Sequence, residues 1–374
     1  MAGFASTRSG RDWRVDTLRG YALVIMTVNH LPDYPFRSVA AYLFGYASAP
    51  DAFVFLSGLV SGWVYLKIFD RGGKSALEKR ALRRARDIYL VQVALLAFSI
   101  AVAVGTGRPA FDSTHPLQAL FAGNLLIYQP TFSDILPMYC LFLLFLPLIL
   151  TQLVKGRIRL VMAVSAALWA LSQFGIGAAS SLVPWINLGH FNLLAWQIYF
   201  VAGTCIAFKT SRARDVVPKS RALLLLCAIG AALLFLDRHL HPIAGLSPLL
   251  KFKPMPNSNP ARFIDAICLG YLIWAIPRAV DDRLKTLRIF RFLNFLGQHS
   301  LQVYAFSLFL TFMAFGMSAR WLALPRWATL FIVLPIVASL AIPAQLHAYL
   351  RQSRPRPICP VLPRPAASPA AVSD

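Results

Sequence analysis

The sequence predicts an all-α polytopic membrane protein of about ten transmembrane helices, with both termini cytoplasmic. Three observations predict it. Hydrophobic residues make up 57% of the 374 and charged residues only 14%, against about 25% charged in a soluble domain. Mean hydropathy is +0.60. The apolar runs are too long and too weakly alternating for the strands of a membrane barrel, which leaves helices as the spanning element. Lastly, the basic residues sort by side. With the N-terminus inside, 28 of the 37 Lys and Arg fall in segments 1–16, 67–87, 155–159, 209–221, 278–291 and 350–374. Eight fall in the outer segments, and Arg19 lies within the first helix. That asymmetry is the positive-inside pattern. It accounts for the formal charge of +22, so nucleic acid is excluded as the partner and the lipid bilayer takes its place.

Taken in order, the spans read as 17–32, 50–67, 87–105, 134–153, 158–175, 191–208, 221–236, 262–279, 295–316 and 327–349. The first and seventh are shorter than the roughly 20 residues of a full span, which local thinning or burial among neighbours accommodates. The first lacks a cleavage signature and reads as a retained anchor. Between the third and fourth spans the apolar piece His115–Tyr128 is too short to cross and reads as re-entrant or interfacial. Residues 237–261 form a polar, proline-rich outer loop. The domain plan is a cytoplasmic segment 1–16, one transmembrane domain 17–350, and a Pro/Ala-rich cytoplasmic tail 351–374 expected to be disordered. The five cysteines form no CxxC pair and give no metal-ligand spacing. Cys140, Cys205, Cys227 and Cys268 lie in apolar helices, where cysteine behaves as a small hydrophobe.

The polar residues inside apolar runs are the candidates for chemistry, because membrane interiors tolerate them only where they face protein or a wet cavity. Arg19 and His30 are eleven residues apart. Eleven steps of a helix return the side chain to within about 20° of the same face, about 16 Å along the axis. Leu23 and Met26 lie between them on that stripe. Asp51, after Pro50 at the start of the second span, has two readings. It caps a helix N-terminus, or it orients the imidazole of His30, which then acts as a general base. His30 itself reads either as that base or as a hydrogen-bonded interfacial histidine.

Arg80, Arg83, Arg84 and Arg86 belong to the most basic inner segment. Topology alone explains them; a site for the phosphates of a donor such as coenzyme A is the functional reading. Asp134 and Tyr139 open the fourth span, as a cap and an aromatic belt or as substrate contacts. Asn192, Trp196 and Gln197 share the sixth span, with Asn192 and Trp196 one helical turn apart. Gly297-Gln298-His299-Ser300 reads as a turn into the ninth span. A serine relay through Ser57 has no supporting pattern. Signatures of acyl-serine hydrolases, P-loop proteins and zinc peptidases do not occur.

Several of these stretches together resemble the OpgC family of membrane acyltransferases. They are Arg11-Asp-x-Arg14-x-Asp16-x-x-Arg19-Gly20 with Asn29-His30-Leu31-Pro32, and Pro50-Asp51-Ala-Phe-Val-Phe-Leu-Ser57-Gly58. Further on come Arg80-Ala-Leu-Arg83-Arg84-Ala with Tyr89, Phe191-Asn192-x-x-Ala195-Trp196-Gln197, and Leu296-Gly297-x-His299-Ser300-Leu301. Arg19-x10-His30 also resembles the arginine–histidine signature of the wider acyltransferase-3 superfamily. Asn29 stands where many members carry an acidic residue, and Asp51 where glutamate is expected.

The resemblance implies a multi-pass protein of the bacterial inner membrane. It implies succinyl transfer from succinyl-CoA, a co-substrate and not a resident cofactor, to a glucan or other saccharide on the periplasmic side. His30 would be the base, Arg19 its signature partner, and the Arg80–Arg86 run part of the donor site. The competing expectation is a proton-coupled saccharide carrier in which Arg19, His30 and Asp51 relay protons, although the paired, broken halves of such carriers are not visible.

Overall fold

The computed structural model describes residues 12–32, 42–107, 116–129, 132–176, 189–213, 218, 220–240, 258–317 and 325–353. Among these residues the chain is all helix and turn, without a strand. The helices are α1 (Trp13–Asn29), α2 (Ala49–Thr106), α3 (Pro116–Asn124), α4 (Ile135–Val154), α5 (Ile158–Gln173), α6 (Leu193–Arg212) and α7 (Arg221–His239). They continue with α8 (Pro260–Trp274), α9 (Arg278–Thr286), α10 (Arg288–Gln298), α11 (Ser300–Gly316), α12 (Arg326–Ser339) and α13 (Ala341–Gln352). By length and composition α2, α4, α6, α7 and the α12–α13 run Trp327–Gln352 can each cross a membrane. The pair α10–α11, bent by 95°, is a sixth candidate. The N-terminal segment before Asp12, the C-terminal tail from Arg354 and most of the loop 237–261 lie outside the described residues.

The inner segment 67–87 is helix, where the sequence suggested a loop. It belongs to α2, which breaks at Gly73 with a left-handed φ of 67°. Glycine adopts that conformation without steric penalty. In a straight helix Tyr65 and Arg84 would be about 28 Å apart along the axis. Tyr65 instead lies within electrostatic reach of Arg84, Arg80 and Asp87, so the chain folds back at Gly73 into a helical hairpin. On the returning arm Leu77, Ala81, Ala85 and Ile88 are buried one turn apart, while Lys79, Arg80, Arg83 and Arg86 are exposed.

Two close helix crossings organise the bundle. Gly58 and Gly62 of α2 face Gly203 and Ala207 of α6; a Cβ on Gly58 would lie 2.1 Å from the Phe200 carbonyl oxygen, and one on Gly203 would lie 2.3 Å from that of Phe55. This is small-residue packing, in which van der Waals contact of bare backbones replaces the hydrophobic driving force that lipid removes. The second crossing joins α1 to α10. A Cβ on Gly20 would sit 1.8 Å from the Leu293 oxygen, and one on Gly297 would sit 1.7 Å from that of Asp16. The shared core runs through Leu143, Leu146 and Leu150 of α4, Trp196 and Phe200 of α6, and Tyr304 and Leu308 of α11.

Residues 116–129 and Ser133 pack alongside the returning arm of α2. The Tyr89 hydroxyl donates to the Asn124 carbonyl at 2.9 Å. Gly123 rests on Leu96, and the Gln92 amide donates to Gln129 and Ser133, both at 3.2 Å. Residues 89–96 lie within the returning arm of α2, so α3 and the turn after it pack along that arm. Cys140, Cys205, Cys227 and Cys268 are free and buried, as their surroundings predicted.

The Gly58→Val substitution forces backbone against backbone and is expected to destabilise the protein by about 3 kcal/mol. Gly105→Ala, at an open position of the same helix, is expected to change stability by less than about 1 kcal/mol, in the favourable direction. Thermal unfolding in detergent checks both.

Candidate active site

The stripe of α1 that carries Arg19 and His30 turns inward. Leu23 and Met26 between them are buried, and the two ionisable residues are half-buried. Helix α1 starts at Asp12, whose side chain accepts from the Arg14 N–H at 3.0 Å, and stops at His30, which is its C-cap. Pro32 lies just beyond, as expected where a helix must end.

Each end of the stripe meets named partners. Arg19 donates from Nη2 to the Ser300 hydroxyl at 2.5 Å, and its guanidinium lies 5.8 Å from the centroid of the Phe53 ring. The His30 ring lies 4.5 Å from that of Phe132, which in turn lies 5.3 Å from Phe315. Between the two ends, Phe53 stacks on Tyr304 at 5.9 Å, and the Tyr304 hydroxyl donates to the Phe132 carbonyl at 3.2 Å. Arg19, Phe53, Tyr304, Phe132 and His30 therefore form one continuous wall. Phe132 holds a left-handed φ of 74°, a costly conformation for an aromatic residue that gathers at functional sites. Beside it the buried polar cluster Gln92, Gln129 and Ser133 continues the wall.

The proposed pairing of Asp51 with His30 is corrected. Asp51 closes a capping box, accepting from the Ser48 N–H at 2.7 Å. Both its oxygens also accept from Arg262 Nε at 2.8 Å. Arg262 bonds the Ser48 hydroxyl as well and lies over the Trp196 ring at 4.9 Å. A carboxylate 1% exposed facing a guanidinium 4% exposed is the cheaper arrangement, since an unpaired charge there would be far more costly. Of the two readings of Asp51, capping is the one observed.

The remaining candidates are distributed. Arg80, Arg83 and Arg86 are exposed and Arg84 is half-buried, with Arg86 reaching Asp87 at 3.4 Å. They line one arm of the hairpin, apart from the aromatic wall in every contact named above. Asp134 is buried and accepts from the backbone N–H groups of His190 and Phe191 at 2.7 and 3.3 Å. It ties down the turn before α6. Tyr139 shares a hydrogen bond with Ser61 at 3.2 Å. Asn192 caps α6 through Leu194 N–H at 3.0 Å and donates to the Ile176 carbonyl at 2.9 Å. Gln197 joins α5 to α6 by accepting from the Ser165 hydroxyl at 2.7 Å and donating to the Ser165 carbonyl at 2.8 Å. Trp196 is fully buried. These residues build the frame.

Sequence reasoning missed Arg262, Phe53, Phe132 and Tyr304, and left Ser300 in a turn. Arg262 had a signal: it follows the Asn259-Pro260 start of an apolar helix, where a charge needs a partner. It also missed Arg14, which pairs with Asp281 and donates to the Ile276 carbonyl at 3.1 Å, and so binds α1 to the α8–α9 connection.

A family model described as OpgC protein matches residues 11–352. No curated protein matches the chain, and no solved structure does.

Removing the Asp51 carboxylate strands Arg262. Asp51→Ala is expected to destabilise by about 3–5 kcal/mol, and adding Arg262→Met to recover most of that, in detergent melting curves. A carboxylate that served His30 would not be rescued in this way.

Proposed function

This chain belongs to the OpgC family, and from that premise we propose that it is a multi-pass O-acyltransferase of the bacterial inner membrane. Its reaction moves a succinyl group from succinyl-CoA to a hydroxyl of a periplasmic glucan. The proposed topology has ten crossings with both termini cytoplasmic: the two arms of the α2 hairpin, the bent pair α10–α11, the run α12–α13, and α1, α4, α5, α6, α7 and α8, one each. The basic inner arm Arg80–Arg86 is then on the side of the coenzyme A phosphates. The observation that carries the reading is the inward stripe of α1, with a guanidinium at one end, an imidazole at the other, and an aromatic wall joining them.

In the proposed step, His30 takes the proton of the acceptor hydroxyl as its oxygen bonds to the thioester carbonyl carbon. The carbon–sulfur bond breaks, and the departing thiolate takes up the proton. Arg19, a fixed cation, interacts with negative charge on the donor. Asp51 has no part in proton transfer; it holds α2 to α8.

A positioned general base contributes roughly 10²–10⁴-fold. His30→Ala is therefore expected to lower succinyl transfer by at least about a hundredfold, read by mass spectrometry of periplasmic glucans in cells where the variant inserts normally. Undiminished glucan succinylation would refute the assignment of His30.

A further inference from the structure

We infer that Ser300 is a positioning residue for Arg19: its hydroxyl fixes the guanidinium at the inner end of the stripe that leads to His30. The inference deepens the proposed function and rests on it. Ser300 is the first residue of α11, directly after the 95° bend that separates it from α10. That bend is anchored to α1. Gly297 and Gly20 meet backbone to backbone, and the Asn294 amide donates to the Trp13 carbonyl at 2.9 Å and to the Thr17 hydroxyl at 3.3 Å. Gly297 precedes Ser300 by three residues and Gly20 follows Arg19 directly. The contact that seats one pair therefore seats the other.

Arginine carries a long stem with many rotamers, so a fork that must meet a ligand in one orientation has to be held. Among the contacts that hold Arg19 are two of different kind: the Ser300 hydroxyl, 2.5 Å from Nη2, and the Phe53 ring, 5.8 Å from the guanidinium carbon. The ligand class is an anion of planar or tetrahedral oxygen geometry, which a guanidinium recognises bidentately. A donor phosphate and the free carboxylate of a dicarboxylic acyl chain both qualify.

A double-mutant cycle separates positioning from bulk structure. Purified protein in liposomes is assayed for kcat/KM with succinyl-CoA and a glucan acceptor. Ser300→Ala is expected to lower kcat/KM about tenfold, the loss of one hydrogen bond to a charged group. Ser300→Thr, which keeps the hydroxyl, is expected to stay within about threefold of the parent. In an Arg19→Lys background, which lacks the fork, Ser300→Ala is expected to cost less than about twofold. Repeating the series with acetyl-CoA identifies the anion: an effect confined to succinyl-CoA means the acyl carboxylate, and an equal effect on both donors means a phosphate. Equal losses in both backgrounds, a threonine variant as impaired as alanine, or an unimpaired Ser300→Ala each overturn the inference while the function stands. Parent protein that transfers no acyl group overturns the function and the inference with it.

Discussion

The backbone contact between Gly20 and Gly297 is the constraint on which the site depends. Helices in lipid gain nothing from burying apolar surface against each other, so close approach of bare backbone must supply the packing. Any side chain at either glycine would meet a carbonyl oxygen at under 2 Å. With both absent, α10 lies across α1 and the chain turns sharply into α11. That corner brings Ser300 to Arg19 and rotates the Arg19–His30 stripe toward protein. Gly58, Gly62 and Gly203 do the same for α2 and α6, and so place Phe53 on the other flank of the wall.

Charges set the second constraint. Desolvation makes an isolated ion in such surroundings costly by several kcal/mol, and a hydrogen-bonded partner offsets most of that. The described residues follow this rule at both ends of the bundle. Arg262 and Asp51 lock α8 to α2; Arg14 and Asp281 lock α1 to α9. Asp265 adds a tie to backbone, accepting from the Tyr46 and Ala47 N–H groups at 2.7 and 2.8 Å and so holding the turn that leads into α2.

How far the sequence was legible follows from which forces are local. Most helices fall on the apolar runs, because such a run satisfies its backbone internally in lipid only as helix; the ninth expected span, 295–316, instead breaks by 95° between α10 and α11. The inward face of α1 was legible from an eleven-residue spacing, since helical periodicity is local too. The fold-back between the second and third spans was legible too, but the helical state of the link that turns at Gly73 was not. Gly72-Gly73 sits in a run of charges that reads as loop, whereas the returning arm is helical from there and packs on α4, Cys140 Sγ donating to the Ala85 carbonyl at 2.9 Å. Partner choice was illegible for the same reason. Asp51 had two chemically sensible partners, and the winner, Arg262, is more than two hundred residues away and was counted only as a loop charge. The aromatic wall was hidden because Phe53, Phe132 and Tyr304 look like ordinary bilayer residues until α1, α2, α11 and the turn before α4 bring them together.

Burial divides the polar residues of this bundle into two kinds. Asp51, Arg262, Asp134 and Asn192 are at most 5% exposed and bonded to protein groups; a ligand could reach them only by breaking those bonds. Arg19 and His30 are also tied to the protein, yet each keeps part of its surface open. A group that only holds helices together is most stable when fully paired and sealed, because every remaining contact with water competes with its partner. A group that must meet a ligand cannot be sealed. The same α1 stripe that buries Leu23 and Met26 leaves its two ionisable ends half-open. Their partial exposure separates these two residues from the sealed, fully paired ones, and it is the physical ground on which the proposed site rests.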